Sequence, residues 1–463
     1  MAGPAGAAPS RRDAWGVAAV ALAARLAVVI WAASRFPPTA DGTYYQRIAE
    51  RVAQGLGYTW LWPDGAVTYA AHYPIGYPAA VGAIYALVGP RPAAAMILNA
   101  ALGALAAYAA HRLAARAGSR RIALAAGLLV ALHPGLVAYT PALMTEGVVA
   151  ALLAVAAGVV AWTRDRPASR WIGIVALGLT LGAATLVRPQ SLVLAPLFAA
   201  IAVGAGWRRR ALAAALATIV ALAVCAPWTA RNCVRMKRCA LVSVNGGWNL
   251  LIGADEASTG AWSPIQVPAS CREVYDEAEK DQCFGRAAQG YIAAHPLTWL
   301  GLAPRKLAAT FDYAGAAGWY LNASNAEAFP YRAKVALGVV ETLFERVVLL
   351  LALAAMARRP AEEPRRRRHA RLAVAAVGAI SALTLHAWIG YAALVIAALL
   401  RGRSLLRGPV LLPVTAATVA ATMATHAAFF GAGRYSLVVF PLVSALAALA
   451  FRRSSASQSV QRL

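Results

Sequence analysis

The chain has 463 residues, of which 60% are hydrophobic and 14% charged, with a mean hydropathy of +0.58 and a formal net charge of +25. Apolar stretches of about 20 residues, enough to cross a hydrocarbon core of ~30 Å, recur along the chain. This pattern excludes a soluble globular protein and predicts a polytopic membrane protein. The basic runs lie between the apolar stretches, where topology and anionic lipids account for them, so we expect no nucleic-acid partner.

Twelve membrane-spanning helices are predicted. The fold class is therefore all-α: a polytopic transmembrane helix bundle, with interfacial helices in the first extracytoplasmic loop and a small extracytoplasmic cap. The predicted spans are 15–36, 94–113, 121–140, 143–163, 169–187, 190–207, 211–228, 335–357, 371–387, 389–405, 409–430 and 436–451.

Short arginine-rich loops predict the orientation, because Lys and Arg are retained on the cytoplasmic side of a membrane. All of these loops fall on one side when the twelve spans are threaded, which predicts two cytoplasmic termini and a site that faces the extracytoplasmic side. The expected location is a bacterial inner membrane. The predicted organisation is a cytoplasmic tail (1–14), an N-terminal transmembrane module (15–228) with a catalytic first extracytoplasmic loop (37–93), an extracytoplasmic cap (229–334), a C-terminal transmembrane module (335–451) and a cytoplasmic tail (452–463).

Four of the five cysteines, Cys233, Cys239, Cys271 and Cys283, fall in the predicted cap. An oxidising compartment would pair them, and four cysteines allow three connectivities. Proximity in the sequence favours Cys233 with Cys239 and Cys271 with Cys283. A zinc site is the alternative, although the spacings lack both a Cys-x-x-Cys and a neighbouring His cluster.

Two acidic residues stand where the predicted spans meet the extracytoplasmic loops. Asp41 opens the segment DGTYYQRIAERVAQGLGY after the first span, and Glu146 enters an apolar span in PALMTEGVV. A charge inside a span is disfavoured on insertion scales by about 2.5 to 3.5 kcal/mol, which makes Glu146 a functional candidate. The simpler alternatives are that Asp41 caps an interfacial helix and that Glu146 pairs with an arginine.

Three arginines lie at extracytoplasmic ends of spans: Arg188 in LVRPQSL, Arg231 in PWTARN and Arg434 in GAGRYSLVVFP. Guanidinium groups match phosphate oxygens bidentately, so arginines at one level predict a phosphate clamp, with Lys306 as a secondary candidate. Each arginine taken alone is explained equally well by snorkelling to the interface. His72, in HYPIGYP, is a further site candidate without metal-ligand spacing.

The sequence contains no Walker-type phosphate loop, no Gly-x-Gly-x-x-Gly, no Gly-x-Ser-x-Gly and no His-Glu-x-x-His. A cytosolic nucleotide, a serine nucleophile and a zincin centre therefore have no support. A large donor substrate would have to reach the site through the membrane.

The ordered succession of DGTYYQRIAERVAQGLGY, HYPIGYPAAVGAIYALVG, ALMTEGVV, LVRPQSLVLAP, PWTARN, VSVNGGWNLLIGADEASTGAW, AAHPLTWLGLAPRKL and GRYSLVVFPLVSALAAL resembles the GT-C membrane glycosyltransferases. The branch it resembles contains the protein O-mannosyltransferases and the lipid A aminoarabinose transferase. The resemblance implies transfer of a hexose or pentose from a polyprenyl-phosphate carrier to an extracytoplasmic acceptor, usually with inversion.

Carried over by position, the resemblance makes Asp41 the catalytic base, Glu146 a catalytic partner that orients Asp41 or the sugar, and Arg188, Arg231 and Arg434 the groups that meet the carrier phosphate. Further substrate-binding candidates lie in four segments, with a glycine-rich turn packed by tryptophans as the simpler explanation of the second. These candidates are His72, Tyr73 and Tyr77, then Asn245, Trp248 and Asn249, and finally Lys306 and Tyr435.

The acceptor is left open among lipid, glycan and protein. Protein is the least expected of the three, because the first loop has one acid where the protein O-mannosyltransferases have an Asp-Glu pair. That lone acid also argues against a metal, so no metal ligands are predicted, although a divalent cation is used by some relatives. The alternative from another class is a transporter or a lipid or oligosaccharide flippase, which would place its ionisable residues near the membrane midplane.

Overall fold

The computed structural model describes residues 9–116, 119–204, 206–254, 258–358 and 363–452, so both predicted tails lie largely outside the described residues. Within these ranges the chain forms 21 α-helices and one two-stranded hairpin. The predicted fold class, an all-α bundle of membrane helices, is confirmed.

The first half of the chain contains ten helices. Strands β1 (Thr59–Leu61) and β2 (Val67–Tyr69) form an antiparallel hairpin between the second helix and the third. The helices are α1 (Arg11–Ala32), α2 (Asp41–Ala53), α3 (Gly76–Val88), α4 (Pro92–Ala114), α5 (Arg120–Ala131), α6 (Pro134–Ala138), α7 (Glu146–Asp165), α8 (Arg170–Val187), α9 (Leu194–Val203) and α10 (Trp207–Arg235).

The second half contains eleven helices, the first five of which belong to the predicted cap. They are α11 (Gly246–Ala254), α12 (Glu277–Ala294), α13 (Pro296–Gly301), α14 (Ala303–Phe311), α15 (Ala316–Ser324), α16 (Tyr331–Ala357), α17 (Arg365–Ala382), α18 (Ala387–Leu400), α19 (Arg403–Arg407), α20 (Leu411–Ala428) and α21 (Phe440–Ala447).

In the part of the chain that the structure describes, six helices are long and apolar enough to cross a membrane: α1, α4, α7, α8 with its preceding 3-10 turn, α10 and α20. This makes the chain an integral membrane protein, while the number of spans stays a prediction. The predicted span 121–140 is not one continuous helix, because α5 ends at Ala131 and Pro134 begins the short α6. Proline lacks the backbone N–H that a continuous helix needs at that position.

Helix α8 packs closely against α10 through the sequence Gly178-Leu-Thr-Leu-Gly182. A Cβ atom at Gly178 would lie 2.7 Å from the Cβ of Val220, and one at Gly182 would lie 2.7 Å from the Cβ of Val224. Small residues four apart are the usual means by which helix backbones approach each other in lipid. The contact fixes α8, whose C-terminus carries Arg188.

At one end of the bundle, arginine side chains connect the termini of several helices. Arg120 pairs with Asp13 at 2.7 Å, and Arg116 pairs with Asp165 at 2.6 Å. Arg164, at the end of α7, donates to the carbonyls of Ile201, Leu406 and Gly408, so it joins α7 to segments far away in the sequence. This arginine-rich end is the one predicted to be cytoplasmic.

The opposite end carries the long segments, and we call it the loop end. Here the 3-10 helix Gly433–Val438, which follows α20, packs against α7. The cap lies against the first loop, since Val244 donates to the carbonyl of Ala71 and Glu277 accepts from the Ala71 N–H.

The cap is closed by two disulfides, Cys233–Cys239 and Cys271–Cys283, so the predicted pairing is confirmed. The first joins the end of α10 to the segment that leads into α11. The second joins the segment before α12 to α12 itself. Both bridges therefore fix short stretches of chain that rest on the first loop.

Replacing Gly182 by Ala should lower the free energy of unfolding by about 1–3 kcal/mol, because the added methyl group has no space between α8 and α10. The matched control is Gly158→Ala on α7, where an added Cβ meets no atom within 4 Å. Thermal unfolding of both variants in detergent measures the difference. Equal Tm values for the two variants would contradict the close helix contact.

Candidate active site

Asp41 is the first residue of α2, and its carboxylate faces the bundle. Its Oδ2 lies 2.8 Å from Nη1 of Arg434, and its Oδ1 accepts a 3.2 Å hydrogen bond from the Tyr73 hydroxyl. The N-cap position of α2 is Ala40, and no side chain caps the helix. The simpler explanation of Asp41 as a helix cap is therefore wrong, because both carboxylate oxygens are bound by side chains from distant segments.

Glu146 begins α7 and is only 2% exposed. Its Oε1 lies 2.8 Å from Nη1 of Arg188 and 3.5 Å from Nε of Arg434, and its Oε2 accepts a 3.3 Å hydrogen bond from the Tyr139 hydroxyl. Arg434 thus bridges Glu146 and Asp41. The two carboxylates and two guanidinium groups form one cluster at the loop end, in which the opposite charges offset the cost of burial.

Tyr435 fixes both arginines of the cluster. The guanidinium carbon of Arg188 lies 4.8 Å from the centre of the Tyr435 ring, and that of Arg434 lies 5.1 Å from it. The ring also stacks on His426, with centroids 4.3 Å apart. Cations are attracted to aromatic faces, so Tyr435 holds the two guanidinium groups near each other despite their mutual repulsion.

Arg188 keeps unused hydrogen-bonding capacity. Within the described parts of the chain it donates to Glu146 through Nη1, and no partner is found for its Nε or Nη2. A guanidinium has five N–H donors in a planar fork. The cluster therefore has donors available for an anionic group in addition to its own carboxylates.

Aromatic rings surround the other side of Asp41. Tyr73 stacks on Tyr44 with ring centroids 5.2 Å apart. The ring centroid of His72 lies 4.9 Å from that of Tyr73 and 5.8 Å from that of the cap residue Trp248. Burial lowers the pKa of His72 to about 4, so its imidazole is neutral at physiological pH. The structure thus brings His72, Tyr73 and Trp248 together beside Asp41.

Arg231 is not part of the cluster, and the prediction that three arginines form one clamp is wrong for this residue. Its guanidinium donates to the carbonyls of Ala70 at 2.9 Å and Tyr58 at 2.8 Å. The guanidinium carbon also lies 4.6 Å from the centre of the Trp228 ring. Its hydrogen bonds therefore hold the β1–β2 hairpin and the segment leading to His72.

Lys306 is also placed elsewhere, so its prediction as a phosphate ligand is not supported. The side chain is fully buried, and Nζ donates to the carbonyls of Ala427 and Ala428 at 3.1 and 3.2 Å. These carbonyls end α20, where a cation complements the negative end of the helix dipole.

The remaining predicted residues make local contacts. The hydroxyl of Tyr77 donates to Asn99 on α4, and Asn245 accepts from Ser243. Asn249 donates its backbone N–H to the carbonyl of Asn245. Among the described residues, none of these three side chains forms a hydrogen bond or ion pair with the acid–arginine cluster.

Sequence reasoning missed Tyr139, whose hydroxyl donates to Oε2 of Glu146. Tyr139 lies at the end of the predicted span 121–140, in a segment without charge. The feature of the sequence that could have identified Tyr139 is its position seven residues before a membrane-embedded acid. A buried carboxylate needs several hydrogen-bond donors, so a nearby hydroxyl is a candidate partner.

The donor set of the cluster does not fit a divalent cation. Within the described ranges no three His, Cys, Asp or Glu side chains lie together as metal ligands. Asp41 and Glu146 are each bound by an arginine, whose positive charge would oppose a metal at the same oxygens.

The fold and the cluster define a helical membrane protein in which paired acids and arginines lie where the spans meet the surface loops. Residues 72–230, about a third of the chain, match the family model described as dolichyl-phosphate-mannose-protein mannosyltransferase. Over this range, the predicted resemblance to the protein mannosyltransferases is confirmed. The matched region includes His72, Glu146 and Arg188. No match was found among curated proteins.

Solved structures of membrane enzymes are also similar. The apo oligosaccharyltransferase of Archaeoglobus fulgidus is 14% identical, with 95% of this chain and 50% of that chain covered and a TM-score of 0.48. ArnT from Cupriavidus metallidurans bound to undecaprenyl phosphate is 18% identical, with 93% and 76% covered and a TM-score of 0.41. The chain spans about half the length of the oligosaccharyltransferase structures that it matches.

Replacing Arg231 by Gln should lower the free energy of unfolding by about 2–3 kcal/mol, because two backbone carbonyls lose a charged donor. The matched control is Arg47→Gln on α2, whose side chain is exposed. Chemical or thermal unfolding in detergent measures both. An Arg231→Gln variant as stable as the control would contradict the role of Arg231 in holding the hairpin.

The stability contributed by Asp41 should depend on pH. Asp41 lies in the loop outside the spans, and burial by itself raises its pKa, but the neighbouring Arg434 guanidinium more than offsets this and holds the pKa below the ordinary value of 3.8. The ion pair therefore stabilises the fold above about pH 4, and this contribution is lost as the pH falls through the lower, folded-state pKa.

We expect the Tm of Asp41→Asn to lie below that of the wild type near neutral pH, and the gap to close on acidification below about pH 4. Arg434→Gln should remove the same dependence, because it removes the cation. Thermal unfolding at a series of pH values provides the measurement, and a gap that widens in acid would contradict the sign of the shift.

Proposed function

We propose that this protein transfers a sugar from a polyprenyl-phosphate-linked donor to an acceptor on the extracytoplasmic side of a bacterial inner membrane. The observation that carries the proposal is the bridge formed by Arg434 between Asp41 and Glu146, with Arg188 beside it. It places a carboxylate next to two fixed cations at the surface of a membrane bundle. The match of residues 72–230 to a mannosyltransferase family model supports the same reaction.

In this proposal Arg188 and Arg434 neutralise the donor phosphate. A phosphate is already a good leaving group, so the site has to stabilise the charge that grows on it as the sugar departs. Arg188 has free donors for this task, and Tyr435 holds both guanidinium groups in place. The lipid tail of the donor would stay among the spans.

Asp41 acts as the general base that removes a proton from the acceptor hydroxyl. At neutral pH its carboxylate is ionised, because Arg434 lowers its pKa. A donor phosphate would draw on the same guanidinium and so weaken its hold on Asp41, which makes the carboxylate more basic when the donor is bound. A single base on the face opposite the leaving group gives inversion without a covalent sugar intermediate.

Glu146 keeps the two arginines in position. The sequence suggested that it orients Asp41 or the sugar, whereas its contacts with Arg188 and Arg434 favour a role in fixing the phosphate ligands. Because it is almost fully buried, its negative charge acts on the guanidinium groups with little screening by water. His72, Tyr73 and Trp248 lie on the other side of Asp41, where we place the acceptor.

Two observations support the proposed location. The arginine-rich end is opposite the loop end, in agreement with retention of arginines in the cytoplasm. Both disulfides belong to the loop end, and disulfides persist in oxidising compartments such as the bacterial periplasm.

The transporter alternative gains no support from the buried residues Arg25 and Glu341. Arg25 donates to the carbonyls of Ala21, Val130 and Ala131, and Glu341 accepts from the N–H of Gly318. These contacts join neighbouring segments, which favours structural roles over a transport path.

The proposal is tested with purified protein in lipid nanodiscs, given radiolabelled dolichyl phosphate mannose or undecaprenyl phosphate-linked sugars and a membrane extract as the acceptor. Asp41→Asn should lower kcat by about 10²- to 10⁴-fold, as expected for loss of a general base. The control is Asp64→Asn, an exposed acid at the tip of the same loop. Full turnover by Asp41→Asn with every donor that the wild type uses would refute the role of Asp41.

Binding of undecaprenyl phosphate tests the phosphate site separately from turnover. Arg188→Gln should weaken binding at least about tenfold, because a charged hydrogen bond contributes about 1.5–3 kcal/mol. Arg231→Gln should keep wild-type affinity, since Arg231 binds backbone carbonyls. Equal losses in the two variants would argue against the assignment of Arg188 to the phosphate.

A further inference from the structure

We propose that Tyr320 is a positioning residue that sets the separation of Asp41 and Glu146, an inference that rests on the proposed function. Tyr320 lies on α15 and is 1% exposed. Its hydroxyl oxygen accepts the backbone N–H of Thr39 at 3.4 Å and that of Leu143 at 3.3 Å. Thr39 lies two residues before Asp41, and Leu143 lies three residues before Glu146. One oxygen atom therefore joins the two segments that present the carboxylates.

The backbone beside Asp41 is built around this hydroxyl. A Cβ atom at Gly42 would lie 2.8 Å from the Tyr320 hydroxyl oxygen and 3.2 Å from the Leu143 carbonyl oxygen. Only glycine allows the start of α2 to approach both groups so closely. The Asp-Gly pair at residues 41 and 42 is thus explained by packing against Tyr320.

Ala40 supplies independent evidence that this turn is held by its surroundings. Its φ angle is 51°, a conformation that residues with a side chain rarely adopt. Such strained residues persist where neighbouring contacts determine the backbone, and they occur most often at functional sites. The hydrogen bond from Thr39 to Tyr320 is one of the contacts that determine this turn.

Helix α15 is itself fixed at both ends, so the hydroxyl is a stable reference point. Near its start, Gly318 donates to the buried carboxylate of Glu341 on α16 at 3.3 Å. At its end, Ser324 donates to the carbonyl of Pro37 at 2.6 Å, and Asn325 donates to that of Arg35 at 2.9 Å. The second pair of contacts attaches α15 to the segment that leads from α1 to Asp41.

These contacts explain the buried carboxylate of Glu341, which takes no part in the proposed chemistry. Its carboxylate holds the first turn of α15, α15 holds Tyr320, and Tyr320 holds the two acid-bearing segments. Among the described residues, the Tyr320 hydroxyl forms no hydrogen bond with either carboxylate, so it acts on the reaction through the backbone of the two segments.

Hydrogen exchange tests the positioning role without any assay of turnover. Tyr320→Phe removes the shared acceptor and keeps the ring, so the amides of Thr39 and Leu143 should exchange at least about tenfold faster, since losing 1.4 kcal/mol of protection corresponds to a factor of ten. The control is Tyr391→Phe, a buried tyrosine on α18 whose ring packs against Phe311. Unchanged exchange at both amides would overturn the proposal.

Kinetics test the consequence for catalysis. Tyr320→Phe should lower kcat by about 10- to 100-fold, the range expected when reacting groups move by about 1 Å. The dissociation constant of undecaprenyl phosphate should change less than about threefold, because Arg188 and Arg434 keep their partner Glu146. Unchanged kcat, or a loss confined to phosphate affinity, would refute the role.

Gly42→Ala changes the other partner in the contact between Gly42 and the Tyr320 hydroxyl. It is the alternative test if Tyr320→Phe folds poorly. It keeps the hydroxyl but places a methyl group against it, so faster exchange at Leu143 and a lower kcat are expected again. In the double variant the methyl group no longer meets the hydroxyl. The increase in activation free energy, calculated from kcat, should therefore be smaller than the sum of the increases in the two single variants. Strictly additive losses would overturn the contact. If the wild type turns over no donor, the proposed function fails, while hydrogen exchange still decides the positioning role.

Discussion

The active-site end of the bundle depends on the bridge that Arg434 makes between Asp41 and Glu146. Burying two carboxylates is costly unless cations accompany them, so α2 and α7 can begin next to each other only if the residues after α20 lie between them. Arg188 supplies the second cation and connects the end of α8 to the cluster. This one electrostatic requirement therefore decides which helix ends meet at the centre of the loop end.

The sequence predicts this cluster because charged residues beside apolar spans are conspicuous. Asp41, Glu146, Arg188 and Arg434 all interrupt hydrophobic sequence at the same predicted level, and the structure brings all four together. The same reasoning fails for Arg231 and Lys306. Their partners are backbone carbonyls, which every residue has, so no sequence pattern distinguishes a cation that binds the chain from one available to a ligand.

Much of the fold was also predictable, since hydropathy identifies long apolar helices and proximity in the sequence identified both disulfides. The break of the helix at Leu132 and His133 is visible in the sequence only as Pro134. Tyr320 could not have been found, because it lies in the cap in an ordinary apolar helix. Its importance comes from two backbone N–H groups on segments that fold against it, and such a meeting is a property of the tertiary structure.

The separation of 393 residues between Asp41 and Arg434 has a consequence for biosynthesis. A nascent chain emerging from the ribosome presents Asp41 long before its cation has been translated. The cluster is completed only when the last helices enter the bilayer. Products truncated before Arg434 therefore lack the bridge, and any reactivity that depends on it begins only after the segment following α20 has been made.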